Sequence, residues 1–428
     1  MMVSLTKQST RYGHTGPALS ALAMIVAILS GCSTTGGPIG SPAPITGPGQ
    51  FSAAPKPTRP APPPPGAPVA GTLQPQPDGL GGLLRPKSLW SAAQWHELPG
   101  WYQDRLKDWW PAWLKGCTKA NAAWAAVCQQ SRALGPQADE SQIRQFVQTR
   151  LQPWRVSTFE GQTQGLLTGY FEPMLDGKRQ RDSRFQYPLH RAPSDLGTRK
   201  PHYTREELDT LPEGRAAVAG REIVYLADPL DVLLIQVQGS GRVRLLDEMT
   251  AQGQPKTVRL AFGGHNDQPY QSVARWLVDQ GAFTLEQASW PAIKNWANQN
   301  PSRVAEMMRA NPRVVFFKEE PLTDPDSGPN GSQAVPLTPG RSIAVDIDSV
   351  PLGTPVWLDA TWPQPWSPQP QATAPLQRLV MAQDRGGAIL GAVRADFFWG
   401  WGEEALNAAG RTKQPLSMWV LWPRENTP

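Results

Sequence analysis

The chain has 428 residues, including 46 prolines and 18 tryptophans, and its formal net charge is +5. This length allows two or three domains. The small positive charge suits contact with an acidic polymer, but it is too weak to indicate a nucleic-acid-binding protein, and no nucleic-acid motif is present.

The first 32 residues have the pattern of an export signal. Two basic residues are followed by an apolar stretch, Leu19–Leu29, that is too short to cross a bilayer. Small residues then precede Cys32, as in the bacterial lipoprotein signal, in which the cysteine carries the lipid. Ser33 resembles the sorting rule for the Gram-negative outer membrane. We therefore expect a signal peptide over residues 1–31 and a lipid anchor on the periplasmic face of the outer membrane, with an ordinary signal peptide as the alternative.

Residues 32–86 are rich in proline, glycine, alanine, threonine and glutamine. A segment of this composition cannot bury a hydrophobic core. It predicts an extended, semi-rigid tether between the lipid anchor and the folded part of the protein.

Ordered structure is expected from about Leu89. Amphipathic spacing predicts helices at Leu98–Trp113, Ser141–Leu151, Tyr270–Gln280 and Ser302–Ala310. From Gly165 onward, short apolar runs separated by glycine and proline predict strands that form a sheet or barrel. The predicted strands are Gly165–Phe171, Glu222–Leu226, Val232–Val237, Val243–Leu246, Val258–Phe262, Val314–Phe317, Ser342–Val345, Thr354–Leu358, Leu379–Ala382 and Met418–Leu421.

Two cysteines remain besides Cys32. In an oxidising periplasm Cys117 and Cys128 could form a disulfide. The alanine-rich stretch between them has a helical pattern and would have to bend, so two buried free thiols are the alternative. A catalytic cysteine is disfavoured, because no histidine lies nearby in sequence.

Several reaction classes are disfavoured by the motifs. The five histidines are scattered without the ligand spacing of a metal site, so we expect no metal and no cofactor. Gln238-Gly-Ser-Gly241 lacks the first glycine of a serine-hydrolase elbow. Carboxylate chemistry remains, with many aromatic residues that could stack on a sugar.

Two aspartates are candidates for this chemistry. Asp384 follows a predicted strand and precedes two glycines, where the backbone can turn tightly. Asp396 precedes Phe397, Phe398 and Trp399. Aromatic neighbours solvate a carboxyl group poorly, which raises its pKa and keeps it protonated, as protonation of a glycosidic oxygen requires. A turn or cap residue at a strand end is the ordinary alternative.

Ten sequence blocks extend, in order, from about Gly165 to Trp422. They are Thr168-Gly-Tyr-Phe-Glu-Pro173, Tyr187-Pro-Leu189, Gln236-Val-Gln-Gly-Ser-Gly241, Phe262-Gly-Gly-His-Asn-Asp-Gln-Pro-Tyr270, Asn311-Pro-Arg-Val-Val-Phe-Phe317, Ala334-Val-Pro-Leu-Thr-Pro-Gly-Arg-Ser-Ile-Ala344, Pro351-Leu-Gly-Thr-Pro355, Gln383-Asp-Arg-Gly-Gly-Ala-Ile389, Arg394-Ala-Asp-Phe-Phe-Trp-Gly400 and Trp419-Val-Leu421. Together they resemble the membrane-bound lytic murein transglycosylase A family (MltA).

The resemblance implies a mainly β fold with two domains and a few short helices. A discontinuous double-psi β-barrel would comprise residues 87–173, with N-terminal helices, and residues 322–428, with the catalytic aspartate. A second β-barrel domain, residues 174–321, would be inserted between them across a groove. The segment Thr361–Pro375 departs from the family pattern and is interpreted as a loop on the first barrel.

The resemblance also implies an activity. Family members cleave the β-1,4 bond between N-acetylmuramic acid and N-acetylglucosamine of peptidoglycan without water, because the muramic C6 hydroxyl attacks its own anomeric carbon and leaves a 1,6-anhydro end. Ordinary glycosidases need two carboxylates. An intramolecular attack can proceed with one, since the hydroxyl is already positioned.

Site residues are assigned by the same resemblance. Asp396 corresponds to the catalytic acid and then base, and Asp384 to a supporting aspartate, with bonding of turn amides as its alternative role. Substrate binding is expected from Thr168, Gln236 and Gln238 and from Tyr170 as a stacking platform, Tyr170 being otherwise a core aromatic; His265 is interpreted as structural.

Two other functions stay open at this point. The first is a hydrolase on the same fold, with Asp384 activating water. The second is a non-catalytic wall-binding lipoprotein, since a fold does not determine a function. The expected partners are peptidoglycan strands, the outer membrane through the anchor, and peptidoglycan synthases, with no nucleic acid.

Overall fold

The computed structural model describes residues 74–424, except Leu80, Glu286 and residues 364–372. The predicted signal peptide, Cys32 and most of the tether lie outside the described residues, as does the middle of the predicted loop Thr361–Pro375. In the described part, no helix has both the length and the apolar character needed to span a membrane.

Strands dominate the described chain. The strands are β1 (Gln76–Pro77), β2 (Gly82–Arg85), β3 (Ser88–Ala92), β4 (Leu151–Ser157), β5 (Gly165–Glu172), β6 (Met174–Lys178), β7 (Tyr187–His190), β8 (Glu222–Leu226), β9 (Gly241–Met249), β10 (Pro255–His265), β11 (Val315–Pro321), β12 (Ser342–Val345), β13 (Pro355–Thr361), β14 (Pro375–Asp384), β15 (Arg394–Trp401) and β16 (Lys413–Pro423). The helices are α1 (Leu106–Cys117), α2 (Ala125–Leu134), α3 (Glu140–Arg150), α4 (Arg205–Thr210), α5 (Pro212–Val218), α6 (Pro229–Gln238), α7 (Val273–Asp279), α8 (Trp290–Gln299), α9 (Val304–Arg309) and α10 (Gly402–Ala409).

Six strands close into a barrel. They pair in the order β16, β13, β14, β12, β15 and β5, and β5 closes the ring by pairing with β16. The pairs β12–β14 and β5–β15 are parallel, and the other four are antiparallel. Strands β4, β3, β2 and β1 continue the sheet beyond β16. Because β1 and β2 lie within residues 32–86, the last part of the predicted tether belongs to the sheet, and the expected start of order near Leu89 is wrong. The predicted mainly β architecture with a discontinuous double-psi barrel is confirmed.

The barrel interior determines which side chains point outward. Leu167 on β5 and Ala395 and Phe397 on β15 are buried in the core of the barrel. Successive side chains on a strand point to opposite faces. Thr168 follows Leu167, and Asp396 lies between Ala395 and Phe397. Both side chains therefore point away from the barrel core.

A second sheet is formed entirely by strands between Met174 and Pro321. Its order is β11, β10, β9, β6, β8 and β7, and its edge strands β7 and β11 contact each other. Helix α6 packs onto this sheet through Val232 and Ile235. Another side of α6 packs against α7, α8 and α9, which together form a small helical layer.

The predicted strand Val232–Val237 is wrong, because this segment belongs to α6. Asp228 caps the helix by accepting a 2.8 Å hydrogen bond from a backbone amide, Pro229 occupies the first turn, and Gly239 ends the helix with a φ of 82°. Since the helix is buried on several sides, its apolar run has no polar stripe and resembles a buried strand.

The N-terminal helices form a tryptophan-rich layer on the outer face of the barrel. The layer contains five tryptophans that are each at most 1% exposed: Trp101, Trp109, Trp110, Trp113 and Trp124. They pack with Trp357 of β13 and Met381 of β14. These aromatic rings are therefore unavailable to stack on a sugar, contrary to the expectation from the composition.

The first helix of this layer differs from the prediction at its start. The predicted helix Leu98–Trp113 begins only at Leu106 and continues to Cys117. Cys117 and Cys128 of α2 form a disulfide. The chain between them turns through a short 3-10 helix at Ala122–Trp124, which supplies the bend that the pairing requires.

A buried ion pair fastens the helical layer to the barrel. The Asp104 carboxylate, before α1, accepts hydrogen bonds of 2.7 and 2.8 Å from both terminal nitrogens of Arg341, before β12. It also accepts a 2.8 Å bond from the backbone amide of Leu379 on β14. Both charged side chains are almost fully buried, so Asp104 is the buried counter-charge of Arg341, which has a second carboxylate, the half-exposed Asp108, at 3.9 Å.

We predict that Asp104→Ala lowers the free energy of unfolding by about 3–5 kcal/mol, because Arg341 would keep a buried charge without its partner. Chemical denaturation of the purified protein would measure this. Asp279→Ala, which breaks an exposed ion pair with Arg275 on α7, is the control and should change stability by less than about 1 kcal/mol. Equal effects from the two variants would contradict the prediction.

Candidate active site

Four residues lie in one row across four neighbouring strands of the barrel. Asp384 of β14 pairs with Ala344 of β12, Ala344 with Asp396 of β15, and Asp396 with Thr168 of β5. Paired residues of adjacent strands place their side chains on the same face. We call these four residues the carboxylate row. Because strands lie about 4.8 Å apart, the two aspartate Cα atoms are about 10 Å apart.

A β-bulge brings Asp384 into this row. Ile343 pairs with Ala382, but Ala344 pairs with Asp384, so Gln383 is the additional residue on β14. Ala382 points into the barrel core, and strict alternation would turn Asp384 the same way. The bulge moves Asp384 to the outer face, where Asp396 lies, as bulges beside functional sites often do.

Asp396 receives a hydrogen bond through a short relay. The Arg394 Nη2 atom donates to the Thr168 hydroxyl at 2.9 Å, and that hydroxyl donates to Asp396 Oδ1 at 2.5 Å. A guanidinium can only donate and an ionised carboxylate can only accept, so these directions hold while Asp396 is ionised. The relay ends on Oδ1, so Oδ2 is the oxygen of Asp396 that lies outside it.

Asp384 is held by a different set of donors. Its Oδ1 atom accepts from the Ser332 amide at 3.0 Å, the Ser332 hydroxyl at 2.8 Å and the Arg385 amide at 2.9 Å. Its Oδ2 atom accepts from the Tyr170 hydroxyl at 3.2 Å. This many donors orient the carboxylate and favour its charged form.

The environment raises the pKa of both carboxyl groups to different extents. Burial raises the pKa of Asp396 to about 6, against the opposing effects of the Thr168 hydrogen bond and the Arg394 charge, and with a further rise from the charge of Asp384. Burial also raises the pKa of Asp384, while its hydrogen bonds from Ser332, Arg385 and Tyr170 oppose the rise. A carboxyl group that titrates near pH 6 can both give and accept a proton near neutrality.

Tyr170 belongs to the site through its hydroxyl. Its ring packs against Phe398 at 5.2 Å between centroids, and burial together with the charges of Asp384 and Asp396 raises the pKa of the phenol well above its ordinary value. The hydroxyl therefore stays protonated and donates to Asp384. Between the two carboxylates, the small side chain of Ala344 is almost fully buried.

The other residues predicted for substrate binding have contacts of their own. Gln238 Oε1 accepts a 3.0 Å hydrogen bond from the amide of Phe171 and so braces β5 beside Tyr170. Gln236 Oε1 accepts from Arg205 at 2.6 Å, and the same Arg205 nitrogen donates to the carbonyl of Arg313. The His265 ring accepts a 3.0 Å bond from the amide of Asp267, which fits its predicted structural role.

Sequence reasoning missed Arg394 and Ser332. Arg394 lies two positions before Asp396 on the same strand and therefore on the same face, so strand periodicity could have identified it. Ser332 lies in the segment between β11 and β12, far from Asp384 in sequence, and gives no local signal. Within the described residues no cluster of three or more histidine, cysteine, aspartate or glutamate side chains could hold a metal ion.

A buried ion cluster joins the barrel to the second sheet. Glu172, at the end of β5, is fully buried and accepts hydrogen bonds from Arg242 of β9 at 2.7 Å and Arg259 of β10 at 2.6 Å. The same guanidinium groups donate to the carbonyls of Pro325 and Ser327, in the segment that returns to the barrel. Arg242 and Arg259 thus bind the chain at both connections between the two sheets, where it leaves the barrel and where it returns.

Known proteins match this chain over both sheets. A family model described as the MltA specific insert domain matches residues 166–318, and one described as the 3D domain matches residues 341–422. The structure of the lytic transglycosylase LtgG of Burkholderia pseudomallei is 41% identical and covers 78% of this chain and 96% of its own, with a TM-score of 0.53.

Two further comparisons involve proteins named MltA. E. coli MltA with bound chitohexaose is 25% identical, with coverage of 74% and 89% and a TM-score of 0.58. Membrane-bound lytic murein transglycosylase A of Vibrio cholerae is 32% identical over 278 residues, which are 63% of this chain and 68% of the relative. This chain therefore belongs to the membrane-bound lytic murein transglycosylase A family.

Proposed function

We propose that this protein is a lytic transglycosylase that cleaves the β-1,4 bond between N-acetylmuramic acid and N-acetylglucosamine in peptidoglycan and leaves a 1,6-anhydro end. The observation that carries the proposal is the Asp396 carboxyl group, with its pKa raised to about 6 and one oxygen occupied by Thr168. Relatives named lytic transglycosylases support the reaction, and the chitohexaose bound to the E. coli relative supports a glycan as substrate.

In the proposed mechanism Asp396 acts twice. Its Oδ2 atom donates a proton to the glycosidic oxygen as the bond to the anomeric carbon breaks. The resulting carboxylate then takes the proton from the muramic C6 hydroxyl, which attacks the anomeric carbon, so the protein ends in its starting protonation state. The relay from Arg394 through Thr168 stabilises the carboxylate between these steps.

Asp384 has a supporting role in this proposal. The bulge and its four hydrogen bonds hold it as an oriented carboxylate on the same face as Asp396. Its negative charge would stabilise the positive charge that develops at the anomeric carbon and would disfavour early ionisation of Asp396. Tyr170 would hold the Asp384 carboxylate in its orientation through the hydrogen bond to Oδ2, and Gln238 would keep β5 in position through the amide of Phe171.

The remaining assignments extend the same proposal. Residues 174–321 would form an inserted domain that faces the barrel across the glycan. Within that domain Gln236 would hold Arg205 in place through their hydrogen bond. The lipid on Cys32 would hold the protein on the periplasmic face of the outer membrane, in keeping with relatives named as membrane-bound, and the tether would let it reach peptidoglycan and synthases that build it.

A hydrolase is the second candidate function, because Asp384 is a second carboxylate on the same face. In an inverting glycosidase the carboxyl groups lie roughly 6.5–9.5 Å apart to admit a water molecule. Burial raises the pKa of Asp384, but four hydrogen bonds already occupy both of its oxygens. This weighs against Asp384 as the water-activating group.

We predict that Asp396→Asn abolishes cleavage, with a loss of at least about 1,000-fold, because asparagine cannot donate or accept the proton. Mass spectrometry of muropeptides from digested sacculi would measure this, and the wild type should release 1,6-anhydro ends. Asp384→Asn should retain a reduced rate, and the exposed Asp279→Asn should match the wild type. Reducing ends from the wild type would favour the hydrolase, and equal activity of Asp396→Asn would refute the assignment.

We predict that the rate falls as pH rises through about 6, the pKa of Asp396, because the acid form starts the reaction. The Thr168 hydrogen bond lowers that pKa, so Thr168→Val should move the alkaline limb of the kcat/KM profile upward by about one pH unit. Thr168→Ser keeps the hydroxyl and should keep the midpoint, as should the exposed Thr149→Val. An unchanged midpoint in Thr168→Val would argue against the relay.

We predict a pH-dependent stabilisation by Asp396→Asn. The folded pKa of Asp396, about 6, exceeds the unfolded value of about 3.9, so ionisation of this group destabilises the fold increasingly from pH 4 to 6 and fully above pH 6. Asparagine avoids this effect, and the Tm of the variant should exceed that of the wild type by a few degrees more at pH 8 than at pH 4. The same Tm difference at both pH values would disprove it.

A further inference from the structure

Three basic side chains converge beside the carboxylate row, and none of them takes part in the proposed reaction. Arg313, just before β11, is fixed by a 2.7 Å hydrogen bond from its Nε atom to the carbonyl of Gln268. Its Nη1 atom lies 2.7 Å from where a Cβ on Gly387 would be, so it reaches the loop that follows Asp384. Lys200 and Arg385 complete what we call the basic cluster.

Two of the three cations lie near His265 in the structure: Lys200 lines the same cavity as His265, and Arg313 is two residues before Val315, the strand partner of His265. Burial lowers the pKa of His265, and the charges of Arg313, Arg385 and Lys200 lower it further, against the opposing charge of Asp267. All three cations thus act on one imidazole. Arg385 directly follows Asp384 of the barrel, whereas Lys200 and Arg313 belong to residues 174–321, which contain the second sheet. The cluster therefore combines residues of both parts of the chain.

One member of the cluster, Lys200, lines a shallow cavity, and Arg313 and Arg385 do not line it. The cavity has a volume of about 270 Å³ and is lined by Lys200, Phe262, His265 and Asp267, among others. The Phe262 ring is half exposed, which gives the cavity an apolar wall. A cationic rim beside an exposed aromatic ring suits a ligand that combines carboxylates with aliphatic groups.

The charges of the cluster are not balanced by the protein. Lys200 reaches one carboxylate, Asp267, at 3.8 Å. Across residues 74–424, apart from the positions the structure leaves undescribed, neither Arg313 nor Arg385 forms an ion pair with a carboxylate. Lys200 is thus the one cation of the cluster with a carboxylate at ion-pair distance, and a partly buried guanidinium without a direct counter-ion favours binding of an anion from outside.

We propose that the basic cluster, together with the cavity that Lys200 lines, binds a carboxylate of the peptide branch carried by the glycan strand. The inference rests on the proposed function, which places a glycan along the carboxylate row. Peptide branches extend sideways from the muramic acid residues and bear several carboxylates, and the cluster meets the row at its Asp384 end, through Arg385 and the Gly387 loop that Arg313 reaches. Arg313 supplies a planar fork that matches a carboxylate, and Lys200 supplies a mobile charge at the rim.

The test compares two substrates with the full-length protein. They are glycan strands with their peptides and the same strands after an amidase has removed them. Lys200→Glu reverses one exposed charge, Arg313→Ala removes the fork, and Arg275→Ala on the exposed face of α7 is the matched control. For Lys200→Glu we expect the KM for peptide-bearing strands to rise about fivefold, with kcat unchanged and with a smaller difference at high salt.

The KM for peptide-free strands should not change in Lys200→Glu, and Arg275→Ala should behave as the wild type on both substrates. Arg313→Ala should show the larger rise in KM, with its fold checked by thermal unfolding. An equal rise on both substrates, or no rise on either, would overturn the peptide-branch site while leaving the transglycosylase intact. A wild type that yields no anhydro ends from either substrate would remove the proposed function and this inference with it.

Discussion

Strand β5 has two neighbours in the barrel, and this double pairing constrains the rest of the molecule. It runs parallel to β15, which places Thr168 beside Asp396, and antiparallel to β16, which closes the ring. The strand then ends at Glu172, whose buried carboxylate is bound by Arg242 and Arg259 of the second sheet. A shift of β5 by one residue would turn Thr168 into the barrel and Leu167 out of it. Barrel closure, the relay to Asp396 and the junction with the second sheet are therefore linked through one strand.

The two carboxylates of the row differ because the fold surrounds them differently. Asp384 has four hydrogen-bond donors, whereas Asp396 has one from Thr168. Burial raises the pKa of both, but the donors around Asp384 favour its charged form. Two groups of the same chemical type thereby become an acid and a fixed charge. Ala344 separates them by one strand, which limits their mutual repulsion.

Much of this arrangement could be predicted from the sequence. Alternating and apolar runs predicted strands such as Glu222–Leu226 and Ser342–Val345 with the observed bounds. The prediction succeeds because the apolar side chains of these strands are buried in a core. The family resemblance predicted the barrel, which no periodicity specifies. Helix α6 was predicted as a strand, since contacts on several sides allow it an apolar surface all round.

The candidate site was predictable to a different degree. Asp384, Asp396, Thr168 and Tyr170 were singled out from sequence blocks, and the structure brings them together. The bulge at Gln383 was not predictable, because it shows only in the pairing of β14 with β12. Ser332 was missed for a similar reason, since its contact with Asp384 depends on the path of a long connecting segment. Local patterns report the faces of strands, whereas register and long-range contacts depend on the assembled barrel.

The arginine pair at the junction also bears on how such an architecture can change over time. Arg242 and Arg259 bind Glu172, where the chain leaves the barrel, and the carbonyls of Pro325 and Ser327, where it returns. The departure and return points of the chain are therefore neighbours in space. From the side of the barrel, the whole second sheet with its helices is equivalent to an enlarged surface loop. Its length and content can vary, provided that the two arginines which pair the buried Glu172 are kept, without altering the strand order of the ring that carries the two aspartates.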